Sequence, residues 1–259
     1  MNRPRQRGFS RLDLLVTIIV VGMLIALLAY NHSGERGRIA RCAGNLKALD
    51  RAMRDYIYDN ANCLPIAGLS VEAAQNSWDQ QLFSYLAPSA AKATGSDAKG
   101  ELFLAAAPYF LCPSDKLPRG GHPRTYAMAE RNTSDWPPSP EDETGVGIWW
   151  DRRSIIDLLG PDEYEKARTN LSSLPRLNLA IIPTPDRTIL LTEVPLHDNK
   201  VGALSRTRAL PGDQISALTA DSEAYHFKRF NYLMADGHID NMSALQAAGR
   251  WNIKPSNWQ

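Results

Sequence analysis

The groups in this chain that could do chemistry are imidazoles, carboxylates and thiols, and they cluster in a few places. His226, Asp236, His238 and Asp240 fall within one stretch, HFKRFNYLMADGHIDN, from His226 to Asn241. Imidazole and carboxylate together suit a zinc-like or calcium-like ion in part. They could also serve a hydrolytic centre, or His226 could be a hydrogen-bonding anchor that closes a hairpin on the body. The anchor reading is preferred, because Asp236 and His238 sit at a turn from which their side chains need not converge. Asp115, after Cys112-Pro113-Ser114, has the form of a loop carboxylate that could ligate calcium, with a plain turn as the simpler reading. Cys42, Cys63 and Cys112 form no Cys-x-x-Cys pair, so neither a zinc knuckle nor a thioredoxin-type motif is present. If the body lies outside the cytoplasm, three cysteines allow at most one internal disulfide, and Cys63 with Cys112 is the candidate pair.

Several functions are excluded by what is missing. There is no Gly-x-Ser-x-Gly, no His-Glu-x-x-His and no phosphate-cradling glycine loop. Lys and Arg number 29 against 28 Asp and Glu, a net charge of +1 that gives no global field for nucleic acid. The expectation is therefore a non-enzyme with no catalytic residue, no metal and no cofactor.

These residues need elements to position them. Tyr232 to Ala235 and His238 to Asn241 flank Asp236-Gly237, the commonest dipeptide of a two-residue hairpin turn. In that register Met234 faces Ile239. Thr188 to Val194 (TILLTEV) reads as an apolar strand. Ile39, Cys42, Leu46, Leu49, Met53 and Tyr56 recur every three or four residues, one stripe of an amphipathic helix. Asp50 and Arg54 are spaced for an i,i+4 pair on its flank, and Asn60 and Asn62 before Leu64-Pro65 are stop signals. Ser154 to Leu159 and Asp162 to Leu171 read as short helices, and Ser134 to Gly145 as an exposed loop. The 17 prolines and 17 glycines point to many turns.

The N-terminal segment differs from the rest. Leu12 to Tyr30 carries a single charge, Asp13, and as a helix would span roughly 28 Å, near the thickness of a bilayer core. Arg3, Arg5, Arg7 and Arg11 precede it, which favours a cytoplasmic N-terminus. An aspartate at the edge of such a stretch costs up to roughly 2.5–3.5 kcal/mol at mid-membrane and less near the boundary, and so marks function.

Gly8-Phe9-Ser10-Arg11-Leu12-Asp13-Leu14-Leu15 resembles the class III signal of type IV prepilins and type II secretion pseudopilins. Asp13 stands where that family usually has Glu, and Arg11 where it usually has an apolar residue. The resemblance implies cleavage between Gly8 and Phe9 by a prepilin peptidase, N-methylation of Phe9, and retention of the apolar span as a membrane helix. Asp13 is then the assembly carboxylate, paired with the terminal amine of a neighbouring subunit, since burying either charge alone would be prohibitive. RCAGNLKALDRAMRDYIYDNANCLP, FLCPSDK and TYAMAERN resemble a large pseudopilin-like family, and His226, nine residues, then Asp236-Gly237 is similar to the signature of its prepilin-associated domain.

The expectation is a pilin-like α+β protein, a long N-terminal transmembrane α-helix packed on an antiparallel β-sheet with extended loops. Its parts would be a leader at 1–8, a transmembrane half-helix at 9–30, an amphipathic half at 31–62, and an extracytoplasmic α+β body at 63–259 with a hairpin near 230–241. Partners would be the prepilin peptidase, other pilin or pseudopilin subunits through the N-terminal helix, and the inner membrane, crossed once; no nucleic acid is expected. The role would be structural, in a type II secretion or type IV pilus-like system. The alternative is a membrane-tethered periplasmic binding protein or metal-dependent enzyme that uses the helix only as an anchor.

Overall fold

The computed structural model describes residues 11–72, 74–92, 98–130, 145–219 and 225–248. The first element is a continuous helix, α1, Arg11–Asp59. Its two halves differ in what surrounds them. From Leu14 to Ile25 the large apolar side chains are each 48–63% exposed, whereas Cys42, Leu46, Leu49, Met53, Tyr56 and Ile57 are buried in the core. The expected stripe is therefore the packed face, with Ile39 half-buried at its upper end. Asp50 and Arg54 pair at 3.0 Å on the flank. The helix stops where the asparagines predicted it would. Asn60 Nδ2 donates to the Tyr56 carbonyl at 2.8 Å, and Ala61 and Asn62 turn left-handed, so that Asn62 N–H donates to Ile57 O.

Among the described residues no helix is long and apolar enough to cross a membrane. The apolar run with described side chains, 14–25, is about 18 Å of helix and shorter than a bilayer core. The expected span extends into 12–13 and 26–30, whose side chains lie outside the described residues, as do residues 1–10 with the cleavage site Gly8–Phe9. Most of the expected loop at 134–145 also lies outside them.

After α1 the chain runs β1 (Gly68–Val71), β2 (Ala74–Ser77), α2 (Trp78–Leu86), α3 (Pro88–Ala91), α4 (Ala98–Ala106), β3 (Tyr126–Ala129) and β4 (Trp149–Asp151). It continues through α5 (Arg152–Leu159), α6 (Pro161–Ala167), β5 (Ile189–Glu193), β6 (Arg208–Ala209), α7 (Pro211–Thr219), β7 (Phe230–Met234), β8 (Ile239–Met242) and α8 (Ala244–Ala248). The fold is α+β, with two sheets ordered β2-β1-β4 and β6-β3-β5-β7-β8. The β1–β4 and β3–β6 pairs are parallel and the others antiparallel, so the sheets are mixed where an antiparallel sheet was expected. Long connections make this topology available: β1 reaches β4 only after α2 to α4 and β3.

The larger sheet buries one face against α1. β5 and β7 lie at its centre and every residue of both is buried. A buried Arg124–Asp79 pair at 3.0 Å ties the segment before β3 to the first turn of α2. Asp79 also accepts from Gly202 N–H, and Arg124 donates to Asn199 Oδ1 at 2.7 Å, so both charges are hydrogen-bonded as burial requires.

The hairpin differs from its expected register by one residue. Leu233 faces Ile239 and Tyr232 faces Asp240. Gly237 N–H donates to Met234 O, and only Gly237 has positive φ (+93°), which makes a three-residue loop with the glycine as its left-handed closing position. Asp236 is not among the residues of positive φ, and its Oδ1 accepts from His238 N–H at 3.0 Å, an Asx turn within the loop.

Candidate functional site

The chemistry-bearing residues gather where α1, β5 and the start of β7 meet, around the buried side chain of His226. Its Nδ1 lies 3.0 Å from Glu35 Oε1 on α1. Its Nε2 lies 3.3 Å from Glu193 Oε1, at the end of β5, and 3.2 Å from Cys112 Sγ. Cys112 is in turn disulfide-bonded to Cys42 of α1. One imidazole thus touches the long helix, the central strand and the covalent link between helix and body.

Each partner is itself held. Ser114 Oγ donates to Glu35 Oε1 at 2.6 Å, and Arg38 Nε donates to the other oxygen at 2.7 Å. Asn231 fixes Glu193 twice, through its backbone N–H at 2.7 Å and its Nδ2 at 3.0 Å. Ser114 N–H points at Cys112 Sγ at 3.4 Å. Burial by itself would push the His226 pKa down, but the hydrogen bonds and charges of Glu193 and Glu35 outweigh it and raise the value above ordinary. For Glu35, burial pushes up, yet the bonds from Ser114, Arg38 and His226 together hold the carboxyl below its usual range. A cationic imidazole between two carboxylates is the state these partners favour.

The backbone bears a cost to deliver that side chain. His226, Phe227 and Lys228 have φ of 46°, 58° and 63°, three consecutive left-handed residues and none of them glycine. Each such residue costs about 1–2 kcal/mol, a strain that persists only where surrounding contacts over-determine it. Here the two carboxylates hold His226, and across the turn Lys228 N–H donates to Tyr225 O and Arg229 N–H to His226 O.

Asp236-Gly237 lies at the far end of β7 and does not join His226. A Cβ on Gly237 would stand 2.6 Å from Arg54 Nη2 and 2.8 Å from Asp50 Oδ2, so the turn touches α1 directly. Arg54 Nη2 also donates to Ala235 O at 3.4 Å. The spacing of the motif follows from lengths. Roughly 23 Å of helix separates Glu35 from Asp50, and the extended chain from Arg229 to Asp236 covers about the same distance. His226 and Gly237 clamp the two ends of β7 onto one helix.

Other expected residues stand apart. His238 contacts Asp236 at 2.6 Å and Asp240 at 3.6 Å on the surface, while His226 is buried at the opposite end of the strand, so these four do not form one metal site. Asp115 closes a turn: it pairs with Arg119 at 2.9 Å and accepts from Thr125 Oγ1 at 2.7 Å. The expected Cys63–Cys112 pair is corrected to Cys42–Cys112, with Cys63 free. Cys63 follows the end of α1, roughly 25 Å of helix beyond Cys42, too far for a bond that needs Cα atoms within about 7 Å; Cys42 and Cys112 are 4.9 Å apart. Asp13 lies in α1, but its side chain is outside the described residues.

Sequence reasoning missed Glu35, Glu193 and Cys42 as site residues. Glu193 had a signal, an acid ending an otherwise apolar strand. Cys42 had one too, a thiol on the buried stripe.

No family model matches the chain, and no solved structure matches it. A stretch of 63 residues is 33% identical to the type II secretion system core protein G of Klebsiella michiganensis. That relative is a secretion protein. The match covers 24% of this chain and 44% of the relative, so the chain spans less than half of the relative's length.

Proposed function

We propose that the chain is a structural pilin-like subunit or accessory component of a type II secretion or type IV pilus-like system. It is made as a prepilin, cut between Gly8 and Phe9 by a prepilin peptidase and methylated on Phe9. The inner membrane holds it through residues 9–30, with the N-terminus cytoplasmic and the body outside. Its partners are other subunits, met through the N-terminal helix, and it performs no catalysis. The observation that carries this reading is the division of α1 into a half clamped to the body and a half with its apolar side chains exposed. An apolar surface of that extent needs a lipid or protein partner. The similarity to core protein G supports the same reading.

N-terminal mass spectrometry of protein from its native membrane tests it. The expected chain begins at methylated Phe9; one that keeps Met1 where the peptidase is active overturns the proposal. Asp13→Leu separates a filament subunit from a tethered binding protein or enzyme. In a subunit it abolishes assembly and leaves cleavage largely intact, whereas in a tether it is neutral or improves insertion.

A further inference from the structure

Cys42, Cys112, Glu193 and His226 are all buried, and one donor atom from each lies within 4.8 Å of every other. We propose that, once the Cys42–Cys112 bond is reduced, the two sulfurs, His226 Nε2 and a Glu193 oxygen bind one zinc-class divalent cation. This inference does not depend on the secretion reading.

The donor set is that of a closed tetrahedral site, with bonds near 2.3 Å to sulfur and 2.0–2.2 Å to nitrogen and oxygen. Those lengths place neighbouring donors roughly 3.3–3.8 Å apart. His226 Nε2 already stands 3.2 Å from Cys112 Sγ and 3.3 Å from Glu193 Oε1. Breaking the S–S bond lets the sulfurs separate toward the same spacing. Two thiolates select a soft cation over calcium or magnesium.

The surroundings match what such a site needs beyond its ligands. A metal-bound imidazole donates its other N–H to a carboxylate, and Glu35 Oε1 sits 3.0 Å from His226 Nδ1. That bond directs the Nε2 lone pair at the sulfurs. Asn231 orients Glu193, and Ser114 N–H faces Cys112 Sγ. The reaction balances with a dithiol as reductant. Two electrons and two protons from it turn the disulfide into two thiols, and the dithiol leaves as its own cyclic disulfide. The cation then displaces both thiol protons and the Nε2 proton to solvent. Exchange with a small-molecule disulfide as two-electron oxidant, itself released as two thiols, re-forms the Cys42–Cys112 bond and frees the cation, so covalent and metal-held forms of one joint alternate.

The test uses the full chain in detergent, oxidised and after treatment with dithiothreitol followed by desalting without air. Cobalt(II), then zinc(II), is titrated into each. The reduced chain is expected to take up one cobalt per chain, with the intense visible bands of a tetrahedral ion, sulfur-to-cobalt charge-transfer absorption, and displacement by one zinc. The oxidised chain should take up none. Cys63→Ser should bind as the parent does, while Cys112→Ser and His226→Ala should each weaken uptake at least 100-fold. The proposal is overturned if the reduced parent binds no stoichiometric metal. Equal binding in the oxidised chain, or undiminished binding in Cys112→Ser, which would place the ion elsewhere, overturns it too. The main comparison is between two redox forms of the parent chain, so it decides the matter even where a variant does not fold. A reduced parent that unfolds and does not refold on adding zinc also counts against it.

Discussion

His226 is the residue on which the clamp turns, because its two nitrogens meet carboxylates from two different elements. His226→Ala leaves Glu193 buried without its cation, a loss of about 3–5 kcal/mol on the scale of broken buried pairs, to be read from urea denaturation. Its pH dependence in the disulfide-bonded protein has a definite sign. The His226 pKa is raised on folding, so its contribution is fully present below the unfolded value of 6.5 and fades as pH rises through the folded value. The Glu35 pKa is lowered, so its contribution is present above 4.5 and fades as pH falls through its folded value. Melting temperature should therefore peak in mildly acidic solution, and His226→Gln should flatten the alkaline side of the profile. Gly237→Ala forces a Cβ onto Asp50 and Arg54 at positive φ. The expected loss is about 1–2 kcal/mol, again by urea midpoint.

Among the elements, α1 was the most legible in the chain. Its stripe and its asparagine stop are local patterns that local physics reads directly. The strand at 188–194 and the helices near 154 and 162 were legible for the same reason. The hairpin register was not, since two-residue and three-residue loops share Asp-Gly, and the loop length shows only in the backbone bonds of Met234 with Gly237 and His238. The partners of His226 were beyond reach. Glu35 lies 191 residues away and Glu193 lies 33, and nothing local in the pattern of a polar helix junction marks one acid as the contact. The disulfide belongs to this scale too. It bridges a separation of 70 residues, so Cys42→Ser should cost about 4 kcal/mol by loop-entropy scaling. Cys63→Ser, touching no disulfide, should leave the unfolding midpoint nearly unchanged.

For the whole molecule, the body is an α+β core built around the packed half of one helix, and the other half reaches outward. The clamp sits near the point of departure: Glu35 and Cys42 are the contacts from which the helix leaves the body. A pull along the outward arm therefore meets a covalent rivet and a charged peg before any strand is disturbed. Tension is resisted in shear at one end of the helix instead of peeling it turn by turn. In single-molecule stretching by residues near the start of α1, the oxidised chain should hold to higher force than the same chain treated with a dithiol.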